Sequence, residues 1–211
     1  MKQHSPANDF LSFWLGSTFV WVLLLGVAAP VYHAMAQDTI RPRTSIPVKI
    51  GLGIHEGDGE IGVGFLYSVG WQKSMGRKHK IRINPQLTMG EFHGGFLTDV
   101  REQYYRISLY EFNVHYDLVR IGAFSLVTSA GVFGEYSRGL FAAFSTMDGH
   151  YIPEAYFHHF YVGGRVSMTL RLTPKRSRWA FEWRPLSIYL GNRYLWGYAM
   201  MFGMDIPLGC R

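Results

Sequence analysis

Strict alternation of apolar and polar side chains, kept up over long segments, restricts this fold more than any other feature of the sequence. Period-2 alternation puts successive side chains on opposite faces of a strand. In residues 107–119, Tyr110, Phe112, Val114, Tyr116 and Leu118 share one face, and Glu111, Asn113, His115 and Asp117 share the other. Residues 160–172 set Val162, Val166, Met168 and Leu170 against Arg165, Ser167, Thr169 and Arg171. Residues 196–208 set Tyr198, Met200, Phe202, Met204, Ile206 and Leu208 against Gly197, Ala199, Met201, Gly203 and Asp205.

The same rule predicts further strands. Residues 46–55 oppose Val48, Ile50, Leu52 and Ile54 to Lys49, Gly51, Gly53 and His55. Residues 60–72 oppose Ile61, Val63, Phe65, Tyr67, Val69 and Trp71 to Gly62, Gly64, Ser68, Gly70 and Gln72. Residues 80–90 oppose Ile81, Ile83, Leu87 and Met89 to Arg82, Asn84, Gln86 and Thr88. Residues 124–136 alternate more weakly, around Ser125, Ser129, Gly131 and Glu135. Residues 178–190 pair Trp179, Phe181 and Trp183 against Ala180, Glu182 and Arg184, then change phase at Pro185, which predicts a bulge. Strands of this length match the roughly 9–11 residues a tilted strand needs to cross a bilayer. Strands of soluble proteins more often have about 5–6.

The connections alternate too. Residues 73–80, 119–123 and 173–178 are short and basic; 91–106 and 137–157 are long, and 56–59 and 191–195 fall on their side. Short turns at one end and longer loops at the other is the pattern of an outer-membrane barrel. The whole is predicted to be all-β: an eight-stranded antiparallel up-and-down transmembrane barrel.

A targeting segment precedes the strands. Residues 1–9 are polar with Lys2 as the basic side chain, Phe10–Pro30 is apolar, and Ala34-Met35-Ala36 is an A-x-A site. That order describes a secretory signal peptide cleaved after Ala36. An uncleaved anchor helix is the alternative, because the apolar run is long enough to span. Beyond residue 36 no apolar run reaches that length, so a mature chain held in a membrane is held there by strands. The predicted organisation is a signal peptide over 1–36, a short segment over 37–45 and a barrel over 46–211.

Which face meets water decides between two barrels. A soluble lipocalin-like barrel turns its apolar face inward around a ligand, and a membrane barrel turns it outward. The polar faces carry Lys49, Arg82, Arg165, Arg171 and Arg184 with Glu111, Asp117, Glu135, Glu182 and Asp205. Equal numbers of opposite charges beside glycines and serines suit a narrow lumen, where they can pair. Tyr67, Trp71, Tyr110, Tyr116, Tyr136, Trp179, Trp183 and Tyr198 are expected near strand ends, as interfacial girdles.

The signal peptide, the strands and the alternating connections resemble the small outer-membrane β-barrel proteins of Gram-negative bacteria, with the eight-stranded OmpA/OmpX-type barrel the nearest architecture. The resemblance covers residues 46–208 and is one of pattern. It implies Sec-type export, insertion by the barrel-assembly machinery, and residence among outer-membrane lipids and lipopolysaccharide. Such chains usually end in a strand with a glycine and spaced aromatics. Gly203, Ile206 and Leu208 stand in comparable places, but the final aromatic is missing and Pro207, Cys210 and Arg211 depart from the pattern.

Composition removes several function classes. Charged residues are 17% of the 211, against about 25% in ordinary proteins, which excludes a disordered solvating chain. One cysteine, Cys210, excludes an internal disulfide framework and a multi-cysteine metal site. The formal charge of +6 forms no stripe, since the basic residues divide between turns and lumen, and no nucleic-acid partner is expected. Gly51-x-Gly53 lacks the helix a nucleotide loop needs. His55, His93 and His115 are not at paired ligand spacing, so neither metal nor cofactor is expected. His115 is read as a lumen residue among Glu111 and Asp117.

A structural or surface-interaction role is the functional reading, with 91–106 and 137–157 as contact loops and the extracellular partner unspecified. Arg101, Arg106, Arg138 and Arg193 are placed to meet lipopolysaccharide phosphates. One alternative is passage of a small or hydrophobic molecule through a side opening, which predicts an apolar groove in the lumen. The other is a lipid A-modifying enzyme with Ser145 as nucleophile and His158 or His159 as base, beside Asp148 and His150.

Overall fold

Alternation becomes strand here because the two faces of every segment meet different media. The computed structural model describes residues 44–75, 80–94, 102–145, 151–174 and 179–208. Its strands are β1 (Thr44–Glu56), β2 (Ile61–Gly70), β3 (Gln72–Met75), β4 (Ile81–Gly94), β5 (Gln103–Ile121), β6 (Phe124–Phe141), β7 (Phe144–Ser145), β8 (Tyr151–Ile152), β9 (Ala155–Leu172), β10 (Ala180–Gly191) and β11 (Trp196–Pro207). All pairings are antiparallel between neighbours, and β11 closes on β1 from Ser45 opposite Pro207 to Glu56 opposite Trp196.

β2 and β3 are one barrel strand. Gly70 opposite Gln86 and Lys73 opposite Ile83 keep a single register. The ladder lapses at Trp71, which faces Pro85. The Trp71 N–H donates to the Pro85 carbonyl at 2.9 Å, but proline has no N–H to return. With β2–β3 counted once and the short β7–β8 hairpin set aside, eight strands close the barrel. The bulge expected at Pro185 is present: the register slips between Trp183 and Leu186 toward β9, and between Arg184 and Ile188 toward β11.

The faces are inverted relative to a soluble protein. Ile50 (66% exposed), Phe65 (71%), Tyr110 (64%) and Val132 (64%) stand on the outer surface, whereas Arg82, Arg184, Glu135 and Asp205 are buried. The soluble lipocalin-like alternative is corrected by this observation, since an apolar exterior belongs in lipid and a charged interior cannot hold an apolar ligand.

Two expectations about ends also change. Residues 91–94 and 103–106 continue β4 and β5, and 137–141 and 155–157 continue β6 and β9, so the long connections reduce to 95–102 and 142–154. The extensions hide from a period-2 reading because aromatic or polar residues occupy both faces there. The girdle expectation holds for Trp71, Tyr116 and Trp179 toward the short turns and for Tyr136 and Tyr198 toward the loops. Trp183, the fourth residue of β10, also lies toward the short turns, whereas Tyr67 and Tyr110 lie further along their strands.

These extensions give the barrel an overhang. β9 pairs with β6 from Ala155 opposite Phe141 onward, but with β10 only from Gly163 opposite Gly191. At Val162 the N–H donates to the Asn192 side chain and the carbonyl accepts from the Asn192 N–H. Among the described residues no strand covers that edge of Ala155–Tyr161. In the neighbouring turn Arg193 and Tyr194 take left-handed φ values of 53° and 59°, and Leu195 folds back to be buried.

Candidate functional site

The lumen is built in three layers. Nearest the short turns lies the charge network, where period 2 turns alternate residues of every strand inward. Lys49 Nζ meets Glu182 Oε2 at 2.8 Å, Arg82 Nη2 meets Asp117 Oδ1 at 2.7 Å, and Arg171 Nη2 meets Asp205 Oδ2 at 2.6 Å. Arg165 pairs with Glu111, whose carboxylate also accepts from Gln86 (3.1 Å), Thr88 (2.8 Å) and Asn113 (3.0 Å). Glu182 is shared, with Arg82 at 3.8 Å and Arg171 at 3.6 Å. Arg184 is buried in the same layer, with its Nε 3.4 Å from the Thr169 hydroxyl. His115 is fully buried on β5, four positions from Glu111 and two from Asp117.

Above the network lies an apolar layer, of which the alternation had placed only Ala199 and Met201 on the inward face. Leu66, Ile107, Leu109, Phe133, Ala199 and Met201 turn inward and pack together. Tyr189 joins them, edge-on to Phe133 at 5.7 Å. A cavity of about 20 Å³ remains beside Thr88, Leu109 and Glu135, room for about one water. Among the described residues the continuous apolar groove expected of a side-opening transporter is not formed: charged side chains lie below this layer and a polar knot lies above it.

That knot closes the outer mouth. His55 Nε2 lies 2.6 Å from Glu135 Oε1, and His55 Nδ1 lies 3.1 Å from the Tyr105 hydroxyl. Glu60, in the β1–β2 turn, meets His159 Nδ1 at 2.6 Å and accepts from Ser137 Oγ at 2.6 Å and Tyr161 OH at 3.2 Å. The Asp58 N–H donates to Tyr161 OH at 3.0 Å, so the overhang of β9 is tied down onto the β1–β2 turn. Phe92 stacks on Tyr105 at 5.4 Å and Phe157 on His159 at 5.6 Å. His55 carried no signal beyond facing inward, and Glu60 and Ser137 carried none, because their partners are scores of residues away along the chain.

Outside, the register aligns a row of polar residues. Glu91, Arg106, Arg138 and His158 are successive cross-strand neighbours on β4, β5, β6 and β9. Arg106 Nη2 lies 3.0 Å from Glu91 and its guanidinium 6.0 Å from the Tyr104 ring centre. Arg193 is exposed in the β10–β11 turn. Arg101 lies outside the described residues. Of the residues considered for lipid A chemistry, His158 faces outward and His159 inward. Ser145 belongs to β7, with its side chain outside the described residues, as are Asp148 and His150. His55, His93 and His115 are dispersed: His55 is in the mouth, His93 is outside against Tyr104 at 4.9 Å, and His115 is deep in the lumen.

No family model and no curated protein matches this sequence. The fold, however, is similar to solved structures. Neisserial surface protein A (NspA) aligns with a TM-score of 0.51 at 7% identity, over 78% of this chain and 97% of that one. Ail, the attachment invasion locus protein of Yersinia pestis, aligns at 0.48 and 9% over 79% and 99%. The N-terminal barrel domain of Pseudomonas aeruginosa OprF aligns at 0.37 and 12% over 76% and 97%. The likeness to NspA agrees with the inverted faces and the closed ladder. The chain folds as a small eight-stranded β-barrel of the outer-membrane type.

Proposed function

We propose that the chain works as an integral outer-membrane barrel, closed to passage, whose role is exercised at its outer end. Sec-type export after the 1–36 signal peptide and insertion by the barrel-assembly machinery fit its sequence. The observation that carries this reading is the sealed, charged lumen inside an apolar wall. Among the described residues, four ion pairs, the apolar layer and the knot around Glu60 succeed one another along the lumen. An eight-stranded barrel is only just wide enough for its own side chains. The work left to it is support of the membrane and contact with molecules outside.

Two surfaces serve such contact. The edge of Ala155–Tyr161, covered by no strand among the described residues, offers backbone groups to an extended partner segment, the usual risk and use of a sheet edge. The row of Arg106, Arg138 and His158, with Arg193 and Arg101 as further cations of the outer end, suits lipopolysaccharide phosphates. In unheated SDS the purified protein is expected to migrate as a closed form that boiling converts, and in planar bilayers to give no steady conductance. A steady open-pore current would sink the closed-lumen reading. Arg106→Ala with Arg138→Ala is expected to lower co-purifying lipopolysaccharide several-fold while keeping the heat shift. Undiminished lipopolysaccharide would remove the row from the proposal.

A further inference from the structure

On the lipid-facing wall, β4 forms the floor of a groove. Its outward residues Ile83, Pro85 and Leu87 follow one another at period 2, and all three are half-buried. Their cross-strand neighbours stand higher. Val69 and Tyr110 flank Leu87, and Trp71 and Phe112 flank Pro85; all four are exposed. The hollow between these walls measures about 550 Å³. Pro85 helps to make it, since its ring closes back on its own backbone and reaches less far outward than the aromatic rings beside it. On the far side of Tyr110 stands Gly134, with no side chain at all.

The groove has the depth of one leaflet. From Leu87 to Ile81 the strand advances about 20 Å. At the tilt of about 45° usual for a membrane strand, that is about 14 Å of depth, against roughly 15 Å for half of the hydrocarbon core. Its lower end is cationic. Lys73 is exposed directly across from Ile83, and Lys80 is exposed immediately before β4. The segments 73–80, 119–123 and 173–178 at this end hold lysine and arginine but no aspartate or glutamate. Asp117, beside Lys80 across the ladder, is turned inward onto Arg82. Among the described residues, then, the outer face of this end brings the two lysines no counter-charge.

We propose that the groove seats one acyl chain of an anionic phospholipid of the periplasmic leaflet, with the phosphate held by Lys73 and Lys80. The outer-membrane placement given above decides the leaflet, because the short turns are the periplasmic ones. Chain and head group are recognised by different residues: the chain by packing between exposed aromatic walls, the phosphate by two cations on flexible stems at the interface. Lipid elsewhere on the wall meets no such combination.

The test folds the full chain in vesicles of equal parts phosphatidylcholine and phosphatidylglycerol, releases it into mild detergent, and counts retained lipid by native mass spectrometry. One phosphatidylglycerol per barrel is expected, favoured about ten-fold over phosphatidylcholine. Lys73→Gln with Lys80→Gln is expected to erase the preference while one lipid of either kind stays. Leu87→Trp, which fills the floor and leaves both lysines, is expected to remove the retained lipid of both kinds. No retained lipid, or equal retention of the two kinds by the parent, overturns the proposal. So does a preference that survives loss of both lysines, and so does undiminished retention in Leu87→Trp, which would leave only charge at the turns. The heat shift in unheated SDS, run on each variant, separates loss of the lipid from loss of the barrel. Should Leu87→Trp fail to fold, Val69→Trp fills the groove from its wall and carries the same comparison. A parent without the heat shift would overturn the membrane placement, and the groove with it.

Discussion

At the residue scale, Glu182 shows how the lumen differs from a soluble protein's surface. Its carboxylate is buried and lies within reach of Lys49, Arg82 and Arg171. Exposed pairs of this kind contribute little, but removing one partner of a buried pair leaves an uncompensated charge. Glu182→Gln is therefore expected to destabilise the barrel by about 3–5 kcal/mol, read by urea unfolding in lipid vesicles. The outward Arg106–Glu91 pair, exposed on both sides, makes the contrast: Glu91→Gln is expected to leave the unfolding midpoint close to the parent's. Similar losses for both would mean that the lumen is wetter than its burial implies. Alternation made Glu182 legible as an inward residue. It could not say that three cations converge on it, since those come from β1, β4 and β9.

At the element scale, prolines mark where the ladder yields. Trp71 and Pro85 face each other where one of two reciprocal hydrogen bonds can form, and the strand divides there into β2 and β3. Pro85→Ala restores the missing N–H on the outward side of a strand already in register. It is expected to join the two pieces and add about 0.5–1.5 kcal/mol, with slower amide exchange around residues 71–73 as the marker. Faster exchange would show that the proline is needed for the local path of the strand. The sequence marked Pro185 as a change of phase and a bulge, because a missing donor is written in the residue itself. It did not mark the ends of β5, β6 and β9. There Tyr104 and Tyr105, or Ser137 and Arg138, offer no contrast between faces, so strand and loop read alike. Leu66, Ile107 and Leu109 were lost for the same reason: apolar residues on both faces erase the period that would place them inside.

At the scale of the whole molecule, everything depends on closure. A sheet in lipid cannot leave an edge unpaired, because no water reaches its backbone groups. Closure is made at the β1–β11 seam, where two strands from opposite ends of the barrel sequence must lie flush. Gly51 sits in that seam, and a Cβ there would run into the Met200 carbonyl and lie 2.9 Å from the Met201 Cα. These are backbone atoms of the partner strand, so no rotamer change relieves the clash. Gly51→Val is accordingly expected to push β1 from β11, and the heat-convertible compact form in unheated SDS should be lost. Gly164→Val provides the control. It adds volume to another barrel strand, where a Cβ would meet only the Gly131 carbonyl at 3.8 Å. That variant is expected to keep the compact form. If both variants retain it, the seam is looser than the register from Ser45 to Glu56 implies. If both lose it, wall glycines in general limit the barrel. Loss in Gly51→Val alone would locate the closing step at the contact between the first and last strands, the one pairing that no hairpin brings together.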